Sequence, residues 1–325
     1  MNILLTGGAG YIGSHLVVYL LELGYQVVLF DNLKQTTLAS GDQSIFIQGD
    51  LSDTLLLRKI LKKYQIDMVV HLASFKSIPE SISNPLDYYD NNISGTLSLL
   101  HAMREENVLS LIFSSSCAVY GHSNLLPLKE SNPKCPENPY GKTKYFIEEI
   151  LKDMTNTDKA WNIVCLRYSN VSGFFMPSIF TKTIFSHSKD IFSVIAQVMM
   201  GQLKNLPIYG KNYPTVDGTT KRDYIHILDI AKAHGQVLNW MKHKGKNFEI
   251  FNLGTGQAYS VLEVLNAFEK ICGIRVPYEF HPPRQGDVIE SYCCPDKAKK
   301  MLDWQATQTL EDICLSVFQM IGKNK

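Results

Sequence analysis

Thr6-Gly7-Gly8-Ala9-Gly10-Tyr11-Ile12-Gly13 is the stretch that decides the fold. It follows an apolar run, Ile3-Leu4-Leu5, and opens Tyr11 to Leu23, whose spacing predicts a helix closed by Gly24. A strand, a glycine-rich turn and a helix in that order read as a dinucleotide-binding unit. Gly7 permits the tight turn, Gly10 lets the backbone approach a pyrophosphate, and Gly13 lets the helix pack close to the sheet. The free N–H groups at the helix start, with Tyr11 and Ile12 at its head, suit the phosphates.

Working outward, Gln26 to Phe30 reads as a second strand that ends at Asp31. An acid there bonds the adenosine ribose hydroxyls and repels a 2′-phosphate, which favours NAD over NADP. Ile45 to Gln48 reads as a third strand, followed by Gly49-Asp50-Leu51, where Asp50 is a candidate partner for the adenine amino group. Thr54 to Tyr64 predicts a helix capped by Asp53. Met68 to Leu72, Leu111 to Ser114 and Asn162 to Arg167 read as strands, and long helices are expected over Pro85 to Glu106 and Tyr140 to Met154. This alternation implies an α/β, Rossmann-type doubly wound parallel sheet. After Tyr168 the pattern breaks, and Phe174 to Ile191 has no clean period. Later elements are a helix from Leu228 to Met241, a strand at Ile250 to Leu253, a helix at Val261 to Cys272, a strand at Val276 to Phe280 and a helix at Leu310 to Met320. The expected division is a dinucleotide-binding domain over 1–169, receiving the segment 226–254, and a smaller C-terminal α/β substrate domain over 170–325. A substrate then sits between them.

Tyr140-Gly141-Lys142-Thr143-Lys144 follows Pro139. Four residues separate Tyr140 from Lys144, so both lie on one helical face. Bringing a tyrosine from its usual pKa near 10 to neutrality takes about 4 kcal/mol. One cation about 5 Å away supplies roughly 3 kcal/mol at an effective dielectric of about 20. Lys144 together with a positive nicotinamide ring therefore makes Tyr140 a workable base. Ser114-Ser115-Ser116 follows the strand at Leu111 to Phe113, and a hydroxyl at that end points into the cleft of an α/β sheet. Ser116 is positioned to share a proton with a substrate and with Tyr140.

Composition narrows the function classes. The chain has 325 residues, of which 45% are hydrophobic, with a net charge of +1 and no basic block. That gives nucleic-acid and membrane-surface roles no electrostatic support. The start reads as no signal peptide, and no apolar run is long enough for a membrane span. The seven cysteines, Cys117, Cys135, Cys165, Cys272, Cys293, Cys294 and Cys314, include no pair with zinc-ligand spacing, so no metal is expected. Reduced thiols in the cytoplasm are the favoured reading.

The chain resembles the extended short-chain dehydrogenase/reductase family, and within it the UDP-galactose 4-epimerases. The resemblance spans nearly the whole length. Its anchors are Thr6 to His15, Asp31 to Leu33, Gly49 to Leu51, Tyr88 to Asn92, Ser114 to Gly121 and Tyr140 to Lys144. In the second half they are Arg167-Tyr168, Lys221 to His226, Asn252 to Gly256 and Arg284 to Asp287. It implies tightly held NAD and a transient 4-keto sugar, with Ser116, Tyr140 and Lys144 as catalytic residues. It implies further cofactor contacts at Asn32, Leu51, Leu72, Ala73, Lys76, Asn91 and Tyr168. UDP or sugar contacts are implied at Lys76, Asn170, Asp190, Ile191, Tyr209, Arg222, Arg284 and Asp287. Guanidinium groups suit a diphosphate because their fork pairs two oxygens. The resemblance also implies a homodimer, through the helices at Pro85 to Glu106 and Tyr140 to Met154.

The chain departs from that family in places. Ser169 stands where Phe is usual, Val171-Ser172 replaces Pro-Val, Phe174 to Ser188 does not match, and Asp190 replaces an Asn. Ser291, four residues after Asp287, occupies the position where a bulky Tyr restricts the sugar pocket in the family. A serine there leaves room for an N-acetyl group, so UDP-N-acetylglucosamine and its galacto epimer join UDP-glucose and UDP-galactose as expected substrates; the plain alternative is a loop serine. Two other readings stay open. One is another UDP-sugar enzyme of the superfamily, a dehydratase or a uronate epimerase or decarboxylase. Cys117-Ala118 after Ser116 lack the acids a dehydratase needs. The other is a non-catalytic binding protein on the same fold.

Overall fold

The computed structural model describes residues 1–34, 45–175, 190–244 and 248–323. In chain order the first half contains β1 (Asn2–Thr6), α1 (Tyr11–Glu22), β2 (Gln26–Asp31), β3 (Ile45–Gln48), α2 (Thr54–Lys63), β4 (Met68–His71), α3 (Ile78–Ser83), α4 (Pro85–Tyr89), α5 (Gly95–Glu105), β5 (Ser110–Ser116), α6 (Pro139–Thr157), β6 (Asn162–Tyr168) and β7 (Asn170–Ser172). The second half contains α7 (Ile191–Met199), β8 (Leu206–Tyr209), β9 (Lys221–Arg222), β10 (Tyr224–His226), α8 (Ile227–Lys244), β11 (Phe248–Leu253), β12 (Tyr259–Ser260), α9 (Val261–Cys272), β13 (Tyr278–His281), β14 (Glu290–Ser291), α10 (Asp296–Leu302) and α11 (Leu310–Lys323).

Seven strands form one sheet in the order β11-β6-β5-β4-β1-β2-β3, with every pair parallel. The order reverses between β1 and β4, and a cleft opens there at the carboxyl ends of the strands. Alternate residues of each strand feed opposite cores. Ile3, Leu5, Val27, Leu29, Ile112 and Val164 pack under α1 and α8. Leu4, Val28, Phe30, Leu111, Phe113 and Ile163 pack under α2, α5 and α6. Burial on both faces explains why these strands read as unbroken apolar runs. β11 is the one strand of the sheet drawn from the second half. A third core, including Phe192, Ile195, Phe268 and Val317, forms between α7, α9 and α11.

Local chemistry sets the boundaries that aim the cleft. Asp53 caps α2 by accepting from the Leu56 N–H at 2.9 Å. Asn138 caps α6 by accepting from the Gly141 N–H at 2.9 Å, with Pro139 in the first helical position. One expectation needs correcting. Pro85 to Glu106 is not one regular helix, because Asp90–Ser94 opens into a π-helical turn between α4 and α5. There the Asn92 carbonyl accepts from Thr96 Oγ1 at 2.5 Å. The buried Asn92 side chain binds both backbone groups of Phe75 and Thr143 Oγ1. Those side-chain bonds hold the wider turn, which helical periodicity alone does not reveal. Two smaller differences follow. The strand expected at Val276 to Phe280 runs Tyr278–His281, and α7 begins where the sequence shows no period. The divergent stretch Phe174 to Ser188 lies mostly outside the described residues. Among the described residues, no helix is long and apolar enough to cross a membrane.

Candidate active site

The glycine turn is built by backbone crowding. Gly7 adopts φ +71°, and a Cβ there would lie 2.6 Å from the Ala73 nitrogen. A Cβ on Gly13 would lie 2.5 Å from the Gly7 carbonyl oxygen and 2.7 Å from the Gly8 Cα. Gly13 therefore lets α1 close on the turn itself. Gly10 precedes α1 with no side-chain cap, which leaves the first N–H groups, at Tyr11 and Ile12, for an anion. Asp31 at the end of β2 accepts from the Ala9 N–H (3.1 Å) and the Leu33 N–H (2.9 Å), which fixes its carboxylate beside the turn. Asn32 donates to Asp50 at 3.0 Å, and Lys34 pairs with Asp50 at 3.1 Å. These hydrogen bonds hold the Asp50 carboxyl well below its ordinary range. Leu51 is buried, while Leu72 and Ala73 line the end of β4. An uncapped helix start, a backbone cradle that admits only glycine and a positioned ribose acid together fit a dinucleotide.

Three groups meet at the C-terminal end of β5. Ser116 hydrogen-bonds the Tyr140 phenol and accepts from the Ala118 N–H at 3.1 Å. Burial pushes the Tyr140 pKa up, and the Ser116 hydrogen bond opposes it. Lys144 is buried, and its Nζ donates to Ser74 Oγ (2.9 Å) and to the Ser114 carbonyl (2.7 Å). Burial pulls its pKa down to about 7, with the Glu148 carboxylate pulling the other way. The buried Tyr168 phenol contacts His234 Nε2 at 3.0 Å. His234 Nδ1 lies 2.9 Å from the Ile230 carbonyl and must donate to it, so Nε2 accepts from Tyr168.

The second half carries the other candidates. Arg222 Nη2 lies 3.6 Å from Asp287 Oδ1, and the Arg284 guanidinium stacks 3.7 Å from the Tyr209 ring centroid. Ser291 is in register with Arg222 across a parallel pair, so the two side chains leave the strands on the same face. Asn170 is exposed, and its N–H donates to the Asp223 carbonyl. Lys76 Nζ lies 5.8 Å from the Tyr11 ring centroid, over the mouth of the turn. Asn91 donates to the Asn92 side chain at 3.0 Å. Asp190 caps α7 through Ser193, at 3.0 Å to its N–H and 2.6 Å to its hydroxyl, with Ile191 the first helical residue. Sequence reasoning gave no role to Ser74, Thr143, Glu148 or Asp223. Glu148 had a signal, since it continues the four-residue spacing of Tyr140 and Lys144. Ser74 and Asp223 had none, because only the fold brings them to the site.

Comparison with known proteins agrees with this geometry. The profile of the NAD dependent epimerase/dehydratase family matches residues 3–254. A UDP-glucose 4-epimerase of Bacillus subtilis is 39% identical over 332 residues, spanning 100% of this chain and 98% of its own. The UDP-glucose 4-epimerase of Bifidobacterium longum, solved with NAD+ and UDP, superposes with a TM-score of 0.94 at 38% identity, covering 100% and 99% of the two chains. A UDP-Glc/GlcNAc 4-epimerase of Campylobacter jejuni superposes at 0.82 with 32% identity, covering 99% of each. The chain belongs to the NAD dependent epimerase/dehydratase family and, within it, to the UDP-glucose 4-epimerases.

Proposed function

We propose that this enzyme inverts carbon 4 of a UDP-bound hexose, interconverting UDP-glucose and UDP-galactose. The observation that carries the reading is the contact of Ser116 with Tyr140 at the end of β5, with buried Lys144 one helical turn on. Bound NAD supplies reversible hydride acceptance, so the sugar passes through a 4-keto form. Tyr140 takes the proton of the 4-hydroxyl and returns it, Ser116 bonds the same oxygen, and Lys144 supplies the positive charge that favours the phenolate. Gly7, Gly10, Gly13, Asp31 and Asp50 would hold the dinucleotide, within a domain of 1–169 that includes 226–254. Arg222, Arg284, Asp287, Asn170 and Tyr209 would hold UDP from the domain of 170–325.

Ser291 beside Arg222 supports a wider range. A serine on that face leaves space beside the diphosphate site, so UDP-N-acetylglucosamine and UDP-N-acetylgalactosamine are proposed substrates as well. The exposed Leu86 and Phe146, on α4 and α6, support assembly as a homodimer. All seven cysteines are free thiols, which suits a reducing cytoplasm. The deciding experiment incubates the enzyme with UDP-glucose, UDP-N-acetylglucosamine and UDP-glucuronate side by side. The expected result is a 4-epimer of the first two with no net NADH. A 4,6-keto product or carbon dioxide release would move the enzyme to a dehydratase or decarboxylase.

A further inference from the structure

The end of β5 is held by helix α6 at three successive residues. The Ser114 carbonyl accepts from Lys144, the Ser115 hydroxyl donates to Glu148, and Ser116 meets Tyr140. Tyr140, Lys144 and Glu148 stand four residues apart along one helical face. Glu148 and Arg167 are 2% and 0% exposed. Arg167 Nε reaches Glu148 Oε1 at 2.9 Å and Nη2 reaches Oε2 at 2.5 Å, a two-pronged pair. Desolvating two charges costs about what their attraction returns, so such a pair is poorly explained by stability alone.

Its connections suggest why it is there. On its far side Arg167 Nη1 donates to the Tyr120 phenol at 2.8 Å, and that phenol donates to Asn252 Oδ1 at 2.7 Å. The Asn252 N–H donates to Glu130 at 2.8 Å. Three residues on, the Thr255 N–H, the Thr255 hydroxyl and the Gly256 N–H all donate to the buried Asp223 carboxylate. Asp223 adjoins Arg222, the candidate diphosphate ligand.

We propose that the buried Glu148–Arg167 pair is a positioning device for the reaction, setting the height of Ser116 and keeping Lys144 charged while tying both to the strand that carries Arg222. This rests on the epimerase reading of the same site. The charged or titratable groups facing Lys144 are Tyr140 and Glu148 from its own helix and His71 from β4, with Arg167 of β6 behind Glu148. Among them Glu148 is the anion that favours the ammonium.

Two variants separate the mechanical from the electrostatic part. Ser115→Ala removes the hydroxyl contact and leaves the ion pair intact. Its kcat for UDP-glucose should fall about threefold or more, with both limbs of the pH profile unmoved. Glu148→Gln/Arg167→Met removes both charges and strands neither. Its kcat should fall about tenfold or more, with KM within about threefold, and its alkaline limb should move roughly half a pH unit or more to lower pH. A kcat within about twofold of wild type in either variant, or unmoved limbs in the double variant, overturns the inference and leaves the epimerase reading standing. An inactive wild type overturns the epimerase reading instead. The inference then rests on Tyr140 phenolate absorbance, taken as the difference from Tyr140→Phe. That absorbance should titrate at higher pH in the double variant, and an unchanged titration overturns the inference.

Discussion

The Lys144 ammonium lies 6.0 Å from the centre of the Tyr140 ring, and its hydrogen bonds go to Ser74 and Ser114. An ammonium so placed favours the phenolate form of Tyr140. Burial of Tyr140 works against this. Burial and the Ser116 hydrogen bond thus act on Tyr140 in opposite directions, and a positively charged cofactor held at the glycine turn would add to the pull of Lys144 toward the phenolate.

Replacing Tyr140 with Phe removes the proton carrier and little volume. We expect kcat to fall about 10²- to 10⁴-fold, the range for a positioned acid–base group. UDP affinity and melting temperature should stay near wild type, since the phenol's hydrogen-bond partner here is the partly exposed Ser116. Isothermal titration with UDP alongside steady-state kinetics checks both parts. Retained turnover would remove Tyr140 from the mechanism.

Acid should unfold the protein over a defined window. Burial lowers His15, His226 and His234 to about 4 and His71 to about 3, from an ordinary 6.5. Their folded values lie below the unfolded one, so the unfolded chain binds more protons below pH 6.5. Stability is therefore full above pH 6.5 and falls as pH drops toward 4, by about 2 kcal/mol per histidine at pH 5. His71 shows what protonation disrupts. Thr96 donates its proton to Asn92, so it accepts from His71 Nε2, and Nδ1 accepts from Thr6. A charged ring has no acceptor to offer Thr6. Thermal melts from pH 8 to 4.5 check this, and a melting temperature that stays flat below pH 6.5 refutes it.

The parallel sheet was legible because its strands are buried on both faces and a helix between them carries its own cap at Asp53, whereas the cap at Asn138 emerged only in the fold. The glycine turn, Asp31, Ser116, Tyr140 and Lys144 were legible because local spacing sets their relations. The π-turn at Asp90–Ser94 was not, since it depends on Asn92 reaching Phe75 and Thr143 from other segments. For the same reason Ser74 and Asp223 were silent. Asp190 also caps the helix that starts at Ile191, a role that the aperiodic sequence before it did not announce.

Gly10 and Gly13 should fail differently when changed to alanine. A Cβ at Gly13 meets the Gly7 oxygen at 2.5 Å and backbone of Gly8, groups that cannot step aside. Gly13→Ala should cost about 1–3 kcal/mol of stability even without cofactor. At Gly10 the nearest atom to a Cβ is the Gly7 oxygen at 3.2 Å. Gly10→Ala should therefore fold nearly normally and lose NAD affinity by about tenfold or more, because the methyl occupies the approach to the pyrophosphate. Denaturant melts of cofactor-stripped protein and NAD titration distinguish the two, and equal stability losses would contradict the distinction.

Phe146 on α6 is 44% exposed and stacks on Tyr89 with ring centroids 6.4 Å apart, while Leu86 on α4 is 80% exposed. A charge placed among them cannot be desolvated against an apolar partner. The proposed homodimer, seated on this face, predicts that Phe146→Glu sediments as a smaller species than wild type, with its secondary structure unchanged. A wild type that sediments as a monomer removes the proposed homodimer, and a variant that sediments like a dimeric wild type removes this face from it.

Ser291 decides the sugar range if its side chain borders the pocket, as its register with Arg222 suggests. A tyrosine there adds a ring on the face that carries Arg222. An N-acetyl group on carbon 2 needs the space that ring fills, whereas a hydroxyl does not. Ser291→Tyr should therefore lower kcat/KM for UDP-N-acetylglucosamine about a hundredfold or more and change that for UDP-glucose by less than about fivefold, a difference of roughly 2 kcal/mol in transition-state binding. Competition between the two substrates in one tube reads the ratio directly. Equal loss on both would mean that the ring disturbs Arg222 and Asp287 rather than the sugar, and the range would then have to be set elsewhere in the site.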